Sequence, residues 1–120
     1  MSTTDLPLTV RQHDGVAVID LTGDVNASAE HRLDSAWQEA ARSHPVAVVL
    51  NFEGAGYINS TGIALIVGLL ARARAHEIPI RAYGLTPHYR EIFEITRLAD
   101  FLAIQPDEDS AVRGADGSNP

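Results

Sequence analysis

Apolar and polar positions along the chain change period several times, and each change marks an element. Leu8 and Val10 alternate with Thr9 and Arg11, the period of a half-buried strand. Asp14-Gly15 follows, a favoured two-residue hairpin turn, and "VAVIDL" returns as the second strand. "TGDVNAS" is a loop ending in residues that cap helices. Ala29, Leu33, Ala36, Trp37 and Ala40 then recur at helical spacing, so an amphipathic helix is predicted from Asn26 to about Arg42, with Trp37 in the core. "VAVVLNF", after Pro45, is apolar nearly throughout and suits a strand covered on both faces. A helix from about Ser60 to His76, a short strand "IPIRAY", a helix opened by Thr86-Pro87 and a last strand "FLAI" complete the alternation. The inner face of the "TPHYREIFEIT" helix is carried by Tyr89, Ile92, Phe93 and Thr96. "PDEDSAV" starts a terminal helix, with Asp107, Glu108 and Asp109 as its solvated first turn.

A hairpin followed by strand–helix alternation predicts one α/β domain with a mixed, mostly parallel sheet and helices packed on it. That domain is expected to span residues 1–112. The polar, Gly- and Pro-containing residues 113–120 are expected to form a disordered C-terminal tail.

Composition removes several chemistries. The chain has 120 residues and no cysteine, which excludes disulfides, thiolate nucleophiles and cysteine-ligated metals. All nine basic residues are arginine, so there is no phosphate-loop lysine and no Schiff-base amine. A formal net charge of −7 argues against nucleic acid and against an anionic membrane surface as partners. No leader pattern opens the chain and no apolar run is long enough to span a bilayer, so a cytoplasmic protein is expected. The sequons at Asn26 and Asn59 then read as chance matches. His13, His31, His44, His76 and His88 are dispersed, and no metal or other cofactor is expected. Gly54 and Gly56 read as a turn, not as a phosphate loop. Ser60 lacks the first glycine of a hydrolase nucleophile elbow, so no catalytic residue is assigned and a non-enzymatic protein is expected.

The stretch "GYINSTGIALI" concentrates the remaining signals. Ser60 stands where a helix starts and where a cap belongs. On a helical wheel Ile63, Ile66, Val67 and Leu70 share the face expected to meet the sheet, and Leu65, Gly68, Leu69 and Arg72 lie opposite. Two leucines outside are compatible with scattered surface apolars or with a docking surface for another protein. That surface would begin beside the Ser60 hydroxyl.

"NFEGAGYINSTGIALIVGLLARAR" resembles the signature of STAS domains: an apolar strand, a short loop, Asp-Ser-Ser/Thr-Gly, then an apolar helix. The resemblance continues at "LTGDVNAS" and at "AYGLTPHYREIFEITRLADFLAI", covering Leu8 to Val112. It implies an anti-sigma factor antagonist, a regulatory module that binds an anti-sigma factor which is also a serine kinase. It also implies that phosphorylation switches binding off and that a separate phosphatase resets it. Carried onto this chain, the phosphoacceptor is Ser60, with Thr61 as the lesser candidate. Asn26, Asn59, Ser60, Thr61, Gly62, Leu65, Leu69 and Arg72 are the expected partner-binding residues. Asn59 and Asn26 stand where the family usually has Asp. An alternative is therefore a constitutive, non-phosphorylated STAS adaptor in a transporter or signalling assembly.

Overall fold

The computed structural model describes residues 8–114. Five strands form one sheet in the order β1-β2-β3-β4-β5: β1 Thr9–His13, β2 Val16–Val25, β3 Val48–Ile58, β4 Ile80–Tyr83 and β5 Ala103–Gln105. β1 runs antiparallel to β2, and the other neighbours are parallel. The helices are α1 Glu30–Arg42, α2 Ser60–Ala75, α3 Pro87–Ile95 and α4 Glu108–Arg113. The hairpin turn places Asp14 at φ 54 and Gly15 at φ 81, the two positive angles that a type I′ turn needs.

The expected mixed sheet is present, and its two faces explain the unbroken apolar runs. Ala17, Ile19 and Leu21 point to the larger core with Val48, Leu50, α1, α2 and α3. Val16, Val18 and Val49 point the other way, to Tyr83 and to Ala111 and Val112 of α4. A strand buried on both sides loses its period-2 signal. Trp37 lies in the larger core and is almost wholly enclosed.

Several expectations shift. β2 runs on through "TGDV" to Val25, and β3 through "EGAGY" to Ile58, where loops were expected. Pairing continues at Thr22 with Gly54, Gly23 with Ala55 and Val25 with Ile58, with two register irregularities that let polar residues ride in the ladder. Phe101, expected in the last strand, sits in a turn and is exposed, so β5 starts at Ala103. Of the expected tail, Arg113 closes α4 and Gly114 follows as its cap, while residues 115–120 lie outside the described residues.

The first turn of α4 is not simply solvated. Glu108 accepts hydrogen bonds from Arg11 at 3.0 Å and from the Tyr83 hydroxyl at 2.8 Å, and His13 Nδ1 lies 2.9 Å away. Arg11 also clasps Asp20 with two bonds of 2.7 and 2.9 Å, and Asn51 donates to the same carboxylate at 2.8 Å. Arg11 above all, then His13 and Tyr83, hold the Glu108 carboxyl down at about 2, against the opposing effect of partial burial. Burial, with Glu108 beside it, pushes the Tyr83 phenol up. A carboxyl whose pKa falls on folding stabilises the fold above its ordinary range near 4.5, and that contribution is lost as pH falls toward 2. Glu108→Gln is therefore expected to cost about 1 kcal/mol at neutral pH, a figure kept small by solvent screening around half-exposed Arg11. Denaturation midpoints measured from pH 6 to pH 2 should fall less steeply in the variant than in the wild type.

Candidate functional site

The ends of β2 and β3 lie side by side, and their two asparagines follow in register. The Asn59 amide donates to the Val25 carbonyl at 3.2 Å, which places the start of α2 against the end of β2. Asn59, not Ser60, is the N-cap. Its Oδ1 accepts from the Gly62 amide at 2.8 Å, and Ser60 is the first residue of the helix. The expected capping role of Ser60 thus falls to its neighbour, because a cap needs extended backbone, and Asn59 has it (φ −93, ψ −175). Asn26 does the same on the adjoining loop. Its Oδ1 accepts from the Ser28 amide at 3.0 Å and from the Ser28 hydroxyl at 2.6 Å, opening the short 3₁₀ turn Ala27–Ala29 that leads into α1.

Freed from capping, Ser60 is exposed, and so is Thr61. Its position at the start of a 16-residue helix with no acidic residue in the first turn suits an anion. First-turn amides lack intrahelical partners, and the helix dipole adds partial positive charge. Gly62 is buried because the helix approaches β2 at backbone distance: a Cβ there would overlap the Val25 carbonyl.

Two further contacts pin the strand end. The Tyr57 amide donates to Asp24 Oδ1 at 2.9 Å, and the Ile58 amide donates to the Tyr89 hydroxyl of α3 at 3.0 Å. Tyr57 itself is 80% exposed, three residues before Ser60. No expectation from the sequence covered Tyr57, because the apolar run ends at Phe52 and β3 continues past it to Ile58.

The rest of the expected surface is only partly there. Leu69 is buried and Val67 is exposed, the reverse of the wheel assignment. The wheel supplied α2 with one neighbour, the sheet, whereas α1 packs along its other flank and covers Leu69. Leu65 is half-buried and, with Gly68, lines a groove of about 510 Å³ between α1 and α2. Arg72 stands roughly 18 Å along the helix from Ser60. It is held by Asp34 at 2.6 Å and lies over the Trp37 ring, 5.9 Å from its centre. Asn26, Asn59, Ser60, Thr61 and Gly62 therefore form one compact edge, with Leu65 at its margin. Leu69 and Arg72 serve the packing of α1 on α2. Among the described residues no three His, Asp or Glu converge as a metal site, and no helix is long and apolar enough to cross a membrane.

The domain is five-stranded α/β and offers a serine at a helix start beside two Asn-headed loops. The chain belongs to the STAS domain family, whose model matches residues 7–111. It is similar to the anti-sigma-F factor antagonist RsfA of Mycobacterium tuberculosis, 24% identical over 113 aligned positions, with 89% of this chain and 85% of RsfA covered. The fold is shared with an anti-sigma factor antagonist from Mycobacterium paratuberculosis (TM-score 0.74, 18% identity, 93% of this chain and 95% of that one). It is shared also with SpoIIAA in its unphosphorylated form (TM-score 0.69, 17% identity, 92% and 98%). The phosphorylated form of SpoIIAA, described as a Bacillus cell fate determinant, matches as well (TM-score 0.66, 18% identity, 88% and 97%).

Proposed function

We propose that this chain is an anti-sigma factor antagonist, a cytoplasmic regulatory module that binds a serine-kinase anti-sigma factor and is released when Ser60 is phosphorylated. The observation that carries the reading is the exposed Ser60 at the first position of α2, with its capping duty taken over by Asn59. RsfA and SpoIIAA, by name antagonists, support it. That SpoIIAA has a phosphorylated form on the same fold supports the switch.

The physics of the switch follows from position. A phosphate on Ser60 would add about −1.5 to −2 charges at a helix start, a favourable place worth roughly 0.3–1 kcal/mol when exposed. The domain would stay folded. Burying that charge against a partner without matching cations is costly, so the contact would be lost. A phosphatase would restore it. The module would act by binding alone, with no cofactor and no catalysis of its own.

The test is calorimetric titration against the purified serine-kinase anti-sigma factor encoded near a sigma factor gene in the same genome. Ser60→Ala is expected to bind like the wild type, and Ser60→Asp to bind at least about tenfold more weakly. Equal affinities would remove the switch. One observation favours a second reading: Asn26 and Asn59 carry no charge at the edge where the family usually carries two carboxylates. A constitutive STAS adaptor would bind its partner regardless of Ser60. Co-purification with transport or signalling subunits, unaffected by Ser60→Asp, would support it.

A further inference from the structure

We infer that Tyr57 is the aromatic anchor of the surface that carries Ser60, and that the anti-sigma kinase receives it in an apolar pocket sized for a phenol ring. The inference rests on the antagonist reading and adds to it the source of affinity. With Leu69 buried and Arg72 held by Asp34 of α1, the face of α2 expected to dock a partner keeps Leu65 as its main apolar contact, and a further source of contact energy is needed on this edge.

Five large apolar side chains are exposed among the described residues: Val46, Tyr57, Val67, Ile95 and Phe101. Val46 precedes β3, at the opposite end of the strands from Ser60. Val67 and Phe101 flank a separate groove of about 700 Å³ beside the C-terminal half of α2. Ile95 closes α3. Tyr57 alone of the five belongs to the strand end that delivers the serine. The two are three residues apart, so the connecting chain spans at most roughly 10 Å. A specific interface buries about 800 Å² on each partner, and one footprint of that size covers both residues.

The ring is exposed, but its base is fixed. Asp24 holds the Tyr57 amide, and Tyr89 holds the next one. Gly56 lets Asp24 come so close, since a Cβ at that position would overlap the Asp24 carboxylate. A tyrosine on a fixed backbone has two side-chain torsions to lose on binding and a large apolar face to bury. A rigid backbone with a free aromatic face is typical of residues that dominate interfaces. Division of labour follows: Tyr57 supplies affinity, and the phosphate on Ser60 overrides it.

The experiment titrates purified unphosphorylated chain against the serine-kinase anti-sigma factors encoded in the same genome, in four forms: wild type, Tyr57→Ala, Tyr57→Phe and Val46→Ala. Thermal midpoints are recorded alongside. Tyr57→Ala is expected to weaken binding about tenfold or more with its thermal midpoint unchanged, while Tyr57→Phe and Val46→Ala stay within about threefold of the wild type. A smaller loss in Tyr57→Ala, or an equal loss in either of the other variants, overturns the anchor and leaves the antagonist reading standing. If the wild type binds none of these kinases, the antagonist reading falls and the anchor falls with it.

Discussion

Gly62→Ala is expected to destabilise the domain by about 3 kcal/mol and to displace the start of α2. The atom that a new Cβ would strike is the Val25 carbonyl, backbone at the end of β2 that cannot rotate away. That carbonyl also accepts the Asn59 amide, so moving either partner breaks the link between the two loops. Relief by shifting the helix would in addition loosen the Asn59 cap, whose bond to the Gly62 amide is 2.8 Å long. Overpacking costs roughly 1–3 kcal/mol, and loss of an N-cap adds about 1. Gly68→Ala supplies the contrast on the same helix. Its Cβ would meet open space at an exposed position, so the change should be neutral or stabilising by up to about 1 kcal/mol. Chemical denaturation of both variants checks the pair, and equal stabilities would mean that α2 is not seated on β2 as described.

Phe93→Ala is expected to cost about 3–5 kcal/mol, the range for emptying a buried aromatic site. Phe93 is fully enclosed and meets Phe52 of β3 edge to face, with ring centres 5.8 Å apart. α3 has only nine residues, and Phe93 is its one fully buried residue, with Tyr89 and Ile92 packed partly against the same core. The effect reaches the site because α3 also carries Tyr89, whose hydroxyl receives the Ile58 amide. Tyr89→Phe, which removes that acceptor and little else, should cost about 1–3 kcal/mol by stranding a buried amide. Hydrogen exchange at Ile58 should accelerate in both variants, and denaturation should separate their magnitudes. A loss below about 1 kcal/mol in Phe93→Ala would contradict the packing of α3 on β3.

The elements that a reader of the chain can find are those whose signal is local. Asp14-Gly15 encodes its own turn, and Thr86-Pro87 its own helix start, with the Tyr89 amide donating to the Thr86 hydroxyl. The strands buried on both faces show in the runs of valine and isoleucine. What escapes is set by partners distant in sequence. Leu69 and Val67 exchange places because α1 flanks α2, and nothing within the helix announces that neighbour. Glu108 looks like one of three surface acids until the fold brings Arg11 to it across 97 positions. The polar ends of β2 and β3 are held by backbone pairing that side-chain patterning does not report. At the site, Asn26 on one side and Asn59, Ser60 and Gly62 on the other are legible because two short motifs each contain the geometry of a strand end and a helix start. Tyr57 is not, because the strand appeared to end before it. The cap reads one residue late in the sequence because Asn59 and Ser60 are both good cap residues, and only the backbone angles decide between them.

The central claim is that the exposed hydroxyl of Ser60 is a phosphoacceptor whose modification releases a partner. Incubation with the serine-kinase anti-sigma factor and ATP, followed by mass spectrometric mapping of the product and titration of the modified chain, tests it most directly. The account predicts a single phosphate on Ser60, absent from Ser60→Ala, and binding too weak to measure at concentrations where the unmodified chain is saturated. A chain that takes no phosphate at Ser60 or Thr61, or one that binds equally well with the phosphate in place, would contradict it.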